Sequence, residues 1–221
     1  MIETSIIATL DDQPGWDHAT ARNYLASICQ FVTDFASIND LVPYVFLIDQ
    51  FHWQLENKFT SEVVLSHRNL PSTYLHHPAF LESIKTYAVV RDGEYVFGEL
   101  WDSNPNELIA DSNFRKSTFH ISAALRYAHH TVPFCIAAVE SVRAHFDLDS
   151  DGRGRKRSWE RMRAALGNES LDGLFAVETQ AEKHGRVVER TWAERAIALA
   201  TAIEVLYRFG LHLKTRASQA A

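Results

Sequence analysis

Cysteine is scarce in this sequence, with only Cys29 and Cys135 among 221 residues. Two cysteines cannot build a disulfide scaffold, which excludes the small disulfide-rich secreted classes and favours a reducing compartment. Both lie in apolar stretches of predicted helices, where free thiols are usually buried. We therefore predict two buried free thiols in a cytoplasmic protein.

Long apolar runs are also lacking. The longest candidate, AIALATAI at residues 196–203, is bounded by Arg195 and Glu204 and falls short of the roughly 20 residues that span a bilayer. The N-terminal residues show no basic segment followed by an apolar run, so no signal peptide is expected. These absences predict a protein without a membrane-spanning segment.

Basic residues are outnumbered, since 22 Lys and Arg stand against 28 Asp and Glu, for a formal net charge of −6. Residues 1–62 hold nine acids against only Arg22 and Lys58, a local sum of −7, so the other 159 residues sum to +1. This balance argues against broad binding to a nucleic-acid backbone, which needs clustered Lys and Arg. It leaves room for a small local RNA site, and it makes residues 1–62 a candidate surface for a basic protein partner.

The first half of the chain shows strong helical periodicity. Residues 17–38 carry an apolar stripe with steps of three or four positions, formed by Tyr24, Ile28, Phe31 and Phe35. A second helix is predicted from Asp40, as its cap, to about His67. A third is predicted from His77-Pro78, because proline fits the first helical turn.

The second half of the chain predicts longer helices. The NPNE segment at 104–107 has the features of a helix start. The helix that it opens is predicted to reach Phe146, with a kink or break at Pro133, which lacks a backbone donor. A final helix is predicted from the capping-box pattern Thr191-Trp-Ala-Glu194 to Gly210, the expected C-terminal stop.

Residues 86–101 interrupt the helical pattern with two β-rich runs around Asp92-Gly93, a dipeptide that favours a two-residue hairpin turn. The predicted fold class is therefore mainly α, a multi-helix bundle with one inserted β-hairpin at about residues 86–101. We expect a single α-helical domain over residues 1–221, with the loop at 147–157 as the place where it would subdivide.

The segment DLDSDGRGRKRSWER, residues 147–161, has the beginning of an EF-hand calcium loop. Its ligand positions 1, 3 and 5 and its turn position 6 are filled by Asp147, Asp149, Asp151 and Gly152. Position 12, which supplies a bidentate Glu in such loops, is Ser158. The pattern therefore predicts a polar connection between helices, with a weak calcium site at the three aspartates as the alternative.

Histidine is abundant, with eleven among 221 residues. Asp49 and His52 are three residues apart on the predicted second helix, which would place them on one face as half of a metal site. His120, His129 and His130 would add ligands if their helix packs beside it. This grouping predicts, as one alternative, a helical enzyme that depends on iron, haem or another divalent metal.

The segment FRKSTFHIS, residues 114–122, resembles the signature of the HEPN superfamily, in which an Arg is followed after four to six residues by a His. The matching residues here are Arg115 and His120. The resemblance implies an all-helical, metal-independent ribonuclease of the toxin or defence type, which needs no cofactor. His120 would exchange a proton with the 2′-hydroxyl or the leaving oxygen of RNA, and Arg115 would stabilise the charged phosphorane. A second basic cluster, formed by Arg126, His129 and His130, is the predicted substrate-binding surface.

A regular helix would turn Arg115 and His120 apart, since five residues span about 140° around its axis. The site would then need a local break or a second copy of the chain, so a homodimer is predicted. Three function classes stay open: the ribonuclease, the metal- or haem-dependent enzyme, and a non-catalytic oligomeric interaction or regulatory domain. Stoichiometric bound metal would favour the second class, and RNA cleavage without metal the first.

Overall fold

The computed structural model describes residues 3–11, 17–42, 52–54, 58–66, 77–85, 89–92, 94–103, 105–147, 154–167, 171, 174 and 189–220. The helices are α1 (His18–Asp40), α2 (Pro78–Lys85), α3 (Gly98–Ser103), α4 (Pro105–Ala110), α5 (Ser112–Arg126), α6 (Thr131–His145), α7 (Gly154–Leu166) and α8 (Trp192–Ala220). The strands are β1 (Glu3–Asp11), β2 (His52–Gln54), β3 (Lys58–Ser66), β4 (Val90–Arg91) and β5 (Glu94–Tyr95). Helices make up most of the described residues, so the predicted mainly α bundle is confirmed.

Helix α8 is the central helix of the bundle and packs against α2, α5 and α6. Within the described part of the chain, Trp192–Arg216 is long and apolar enough to cross a membrane by length and composition, with a mean hydropathy of 1.4 over its best window. The expectation that no stretch approaches this length is therefore wrong. Inside the fold 72% of that window is buried, as in a helix that is covered on most sides by its neighbours.

Local signals determine where α8 starts but not where it ends. The predicted capping box is present: the backbone N–H of Thr191 donates to Glu194 Oε2 at 2.8 Å, and that of Glu194 donates to Thr191 Oγ1 at 3.2 Å. The predicted stop at Gly210 is wrong, since α8 continues well beyond it. A Cβ at position 210 would lie 2.7 Å from Leu100 Cδ1 and 3.3 Å from Phe114 Cε2. Glycine there allows α8 to approach α3 and α5 closely.

The helix predicted over 104–146 is divided into three. Asp111 caps α5 by accepting hydrogen bonds from two backbone N–H groups of its first turn, at 2.7 and 2.9 Å, and this cap ends α4. The second division is a 3₁₀ turn over 128–130, which lies just before Pro133 in the first turn of α6. The predicted break at Pro133 is thus confirmed, and α6 folds back along α5.

The predicted hairpin is confirmed as β4 and β5, which pair antiparallel with Arg91 opposite Glu94. Asp92, in the two-residue turn, has a φ of 51°, as the favoured hairpin turns require. The Arg91 guanidinium donates Nη2 to the Tyr207 hydroxyl at 2.8 Å and so attaches the hairpin to α8. The end of the predicted hairpin region is helical and forms α3.

The prediction of a helix from Asp40 to about His67 is wrong. Helix α1 itself runs to Asp40 and ends at Leu41, whose φ of 53° is left-handed. Strand β3 then pairs antiparallel with β1 on one side and β2 on the other, in the sheet order β1-β3-β2. The β-branched residues of β3 favour a strand, and its partner β1 lies far earlier in the chain, outside any local pattern.

The buried face of α1 differs in part from the predicted stripe. Phe35 packs with its ring centroid 5.2 Å from those of Phe97 and Trp101, and Phe31 lies 6.2 Å from Phe114. Tyr24, however, is 40% exposed, because the buried face continues toward the N-terminus through Leu25 and Ala21 instead. The aromatic core therefore lies between α1, α3 and α5.

Cys29 and Cys135 are both free and buried, as predicted. Burial raises the pKa of each thiol, because a thiolate is poorly solvated in an apolar interior. Such thiols are inert core residues rather than nucleophiles.

Candidate functional site

Arg115 and His120 do not meet within one chain. Both lie in the uninterrupted helix α5, where five residues turn them about 140° apart. Arg115 faces α1, with Nη1 3.4 Å from Ser27 Oγ, whereas the His120 ring faces α6, with its centroid 6.2 Å from that of Phe134. A site that uses both residues would need a second copy of the chain.

His120 is held in an apolar environment. Its Nδ1 is buried and has no hydrogen-bond partner among the described residues, and the Phe119 ring lies 5.5 Å away. Burial lowers the pKa of His120, because the charged imidazolium would lose its hydration there.

Acidification should therefore destabilise the protein through His120. The unfolded state, with a His pKa of about 6.5, binds more protons than the folded state once the pH falls below that value, so stability present at pH 7 is lost. His120→Phe should reduce the loss of unfolding free energy between pH 7 and pH 5 in urea titrations. The exposed His129→Phe should leave that loss unchanged, and an unchanged loss in His120→Phe would contradict the assignment.

The predicted substrate-binding cluster is largely occupied by a partner within the fold. Arg126 donates Nη2 to Asp34 Oδ1 at 2.7 Å, and Gln30 donates to the same oxygen at 2.9 Å. Burial raises the pKa of Asp34, against the opposing effect of the hydrogen bonds from Gln30 and Arg126. Arg126 thus joins α5 to α1 as half of a buried ion pair.

His129 and His130, the other members of that cluster, are exposed in the 3₁₀ turn between α5 and α6. The ring of His130 lies 6.4 Å from that of Phe134. Both side chains remain accessible to solvent.

The predicted metal residues do not form a centre in the part of the chain that is described. Asp49 lies outside the described residues, and His52 begins β2, so the proposed helical face with the two side chains three residues apart is wrong. Among the residues that the structure describes, no group of three or more His, Cys, Asp or Glu side chains could hold a metal ion.

The calcium pattern is only partly described, because Asp149 and Asp151 lie outside the described residues. Asp147 forms an ion pair with Arg143 at 3.4 Å. The same arginine donates Nη1 to Ser158 Oγ, at loop position 12, at a distance of 2.7 Å. Two positions of the pattern are thus engaged by one arginine, which is the arrangement of a polar connection between α6 and α7.

A different pair, Asp111 and His145, has the geometry of an acid–base dyad. Asp111 Oδ2 lies 3.0 Å from His145 Nδ1, while its Oδ1 caps α5. The side chains are only 16% and 15% exposed. The His145 ring, at the end of α6, packs edge-on against Phe209 of α8 with 4.8 Å between centroids, so its orientation is fixed from both sides.

Two further side chains of α8 complete the arrangement. Arg216 Nη1 lies 3.3 Å from His145 Nε2, and the His212 ring centroid lies 6.2 Å from that of His145. Because a guanidinium only donates hydrogen bonds, His145 Nε2 accepts a hydrogen bond from Arg216. The ring proton of His145 is therefore on Nδ1, which donates a hydrogen bond to Asp111 Oδ2. We call Asp111, His145, His212 and Arg216 the dyad site.

The surroundings of the dyad site determine the charge states of Asp111 and His212. Burial alone would raise the pKa of Asp111, but hydrogen bonds from His145 and from the Phe114 and Asn113 backbone hold it below its usual value. Burial lowers the pKa of His212, and the nearby charges of His145 and Arg216 lower it further. Asp111 is therefore a carboxylate at neutral pH, and His212 is a neutral base.

A cavity of about 300 Å³ lies beside the dyad site, lined by the ends of α7 and α8. Its wall includes Arg208 and His212. Arg208 is fixed by hydrogen bonds to Glu204 Oε1 at 2.5 Å and to the Leu166 carbonyl at 3.0 Å. His212 is therefore accessible from the cavity side.

Sequence reasoning missed the dyad site because its members are far apart along the chain. Asp111 and His145 are separated by 34 residues, and Arg216 is 71 residues beyond His145. The available signals were the high histidine count and the N-cap character of Asp111, neither of which names a partner. Only the packing of α5, α6 and α8 brings the four side chains together.

The comparisons with known proteins show a similarity to one protein family over the part of the chain that contains most of the dyad site. No curated protein and no solved structure matches the chain. A family model matches residues 105–214, which include Asp111, His145 and His212 and end just before Arg216. Over those residues the chain is similar to the family described as "Domain of unknown function (DUF8168) C-terminal domain".

Proposed function

We propose that the protein is a metal-independent ribonuclease in which the dyad site carries out the chemistry. The observation that supports this most directly is the 3.0 Å contact between Asp111 and His145 Nδ1. It orients the imidazole so that its Nε2 lies beside Arg216, and the centroid of the His212 ring lies 6.2 Å from that of the His145 ring. Two imidazoles and a guanidinium are sufficient for phosphodiester cleavage by acid–base chemistry without a metal.

RNA fits this site because it brings its own nucleophile. In the described part of the chain, the two nitrogens of His145 contact Asp111 and Arg216 rather than a serine or cysteine. The dyad therefore differs from a triad that activates a protein nucleophile. A 2′-hydroxyl adjacent to the scissile phosphate supplies the missing group.

The reaction divides the roles between the two histidines. His212, neutral because its pKa is lowered, takes the proton of the 2′-hydroxyl, and the 2′-oxygen attacks the adjacent phosphorus. Once Arg216 has moved away, His145 Nε2 takes up a proton from solvent and donates it to the 5′-oxygen as the P–O5′ bond breaks. Asp111 stabilises the imidazolium. The products are a 2′,3′-cyclic phosphate and a 5′-hydroxyl.

Arg216 has a role in stabilising the transition state. It lies exposed on the last turns of α8, so it can leave His145 Nε2 and pair with a phosphate oxygen. The pairing strengthens as negative charge develops on the phosphorane. Movement of Arg216 also frees Nε2 for proton transfer.

Cleavage of a single-stranded RNA oligonucleotide in excess EDTA tests the proposal. His145→Gln and His212→Gln should each lower the cleavage rate by roughly 10²- to 10⁴-fold, the usual contribution of general acid–base catalysis. Thermal melting would verify that both variants fold. Lys156→Gln, exposed on α7, is the control and should cleave like the parent. Neither the parent nor any variant should cleave an oligonucleotide with 2′-deoxyribose at the scissile position. Equal cleavage by the parent and His145→Gln would rule the dyad site out.

The HEPN resemblance supports the ribonuclease class but assigns the chemistry to Arg115 and His120. A homodimer that places Arg115 of one copy beside His120 of the other is the second candidate. It is favoured by exposed rings along the same helix and turn, with Phe119 46% and Tyr127 57% exposed. In that case His120→Gln would abolish cleavage and His145→Gln would not, the reverse of the result expected for the dyad site.

A further inference from the structure

A second cavity, of about 310 Å³, lies between α1 and α5 and is separate from the one beside the dyad site. Its walls include Gln30, Phe31 and Asp34 from α1, and Arg115, Lys116 and Phe119 from α5. The volume is at the lower end of the roughly 300–1,000 Å³ typical of small-molecule sites. We call it the α1–α5 cavity.

The two cations of this cavity are not neutralised. Neither Arg115 nor Lys116 has a carboxylate within ion-pair distance among the described residues. The contact of Arg115 Nη1 with Ser27 Oγ, at 3.4 Å, is longer than a usual hydrogen bond, and Arg115 Nε is buried with no partner in that part of the chain. Unused guanidinium donors beside an ammonium group are suited to a phosphate.

An exposed aromatic ring lies one helical turn from these cations. Phe119 follows Lys116 by three residues and Arg115 by four, which places all three on one face of α5. Its ring is 46% exposed, although Phe31 in the opposite wall is buried. The helical rise places the Cα atom of Phe119 about 4.5 Å along the axis from that of Lys116 and about 6 Å from that of Arg115. An exposed aromatic face at that position can stack on a planar base.

The carboxylate of Asp34 in the cavity wall does not prevent an anion from binding there. Asp34 is paired with Arg126 at 2.7 Å, so its charge is compensated on the inner side. Gln30 uses its Nε2 for Asp34, which leaves its carbonyl oxygen as an acceptor in the cavity wall. The wall therefore offers donors for a phosphate and an acceptor for the amino group of a ring.

We infer that the α1–α5 cavity binds a nucleotide, with the phosphate on Arg115 and Lys116 and the base stacked on Phe119. This goes beyond the proposed catalysis and holds without it, since it involves none of the dyad residues. Ser112, in the cavity wall, directly follows Asp111, and adjacent Cα atoms are about 3.8 Å apart. If the chain cleaves RNA, this cavity holds a nucleotide next to the scissile one.

Isothermal titration calorimetry of the full chain with adenosine 5′-monophosphate tests the inference. We expect saturable binding at one site, with adenosine and inorganic phosphate each binding more weakly than the nucleotide. Phe119→Ala should raise the Kd roughly 5- to 150-fold, the loss of one stacked base. Arg115→Gln and Lys116→Gln should each raise it at least tenfold, while Lys156→Gln, 89% exposed on α7, should leave it unchanged.

Three results would overturn the inference: no saturable binding, an unchanged Kd in both Arg115→Gln and Lys116→Gln, or inorganic phosphate binding as tightly as the nucleotide. Lys116 is exposed, so its variant remains informative even if Arg115→Gln lowers the melting temperature. His145→Gln should bind the nucleotide like the parent. Failure of catalysis and failure of this site are therefore seen in different variants.

Discussion

Asp34→Ala should lower the free energy of unfolding by about 3–5 kcal/mol, the usual cost of removing one partner of a buried ion pair. The side chain of Asp34 is 2% exposed and that of Arg126 is 18% exposed. Without the carboxylate, the guanidinium stays largely buried with no compensating charge, and Gln30 loses its acceptor. Urea titration at pH 7 measures the loss.

Two comparisons separate this effect from a general sensitivity of the fold. Asp34→Leu combined with Arg126→Met removes both charges and should recover much of the lost stability, because a buried pair is often replaceable by apolar residues. Asp147→Ala removes one half of a more exposed ion pair, with Arg143, and should cost about 1 kcal/mol or less. A double variant that is no more stable than Asp34→Ala would contradict the assigned role.

Phe114→Ala should destabilise the protein by about 3–5 kcal/mol, as is usual when a large buried aromatic side chain is truncated. Phe114 is fully buried. Its ring centroid lies 6.2 Å from that of Phe31 on α1 and 6.0 Å from that of Phe209 on α8, so one ring fills the space where three helices meet. Truncation leaves a cavity that these helices can close only by shifting together.

The matched control for this variant is Phe119→Ala on the same helix. Phe119 is 46% exposed, so the same chemical change there should cost far less. Phe114→Leu, which retains most of the buried volume, should fall between the two. Similar unfolding free energies for Phe114→Ala and Phe119→Ala would contradict the placement of Phe114 at the centre of the core.

Features encoded by a few neighbouring residues were predictable from the sequence. The capping box at Thr191–Glu194, the proline start of α2 at Pro78 and the turn at Asp92 each depend on contacts within about four residues. Such local motifs can be recognised from the sequence because all of the residues that form them are close together along the chain.

The features that were not predicted are formed by residues that are distant from one another along the chain. Strand β3 exists because β1 pairs with it, Glu3 opposite Ser66, and no local pattern reports that pairing. The candidate site divides in the same way. The Arg115 and His120 motif was visible because it is local, but a regular helix turns its two members apart, whereas the dyad site is assembled from α5, α6 and α8.

Gly210 is an exception to the rule that glycine-to-alanine substitutions inside helices are stabilising. Replacing a glycine inside a helix by alanine normally stabilises the helix by about 1 kcal/mol, and a scan for stabilising substitutions would select this position first. Here the added methyl would lie 2.7 Å from Leu100 Cδ1, so either the buried Leu100 side chain or α8 would have to shift. His212 and Arg216 lie on the following turns of the same helix, so an alanine at position 210 that displaced α8 would also change the geometry of the dyad site.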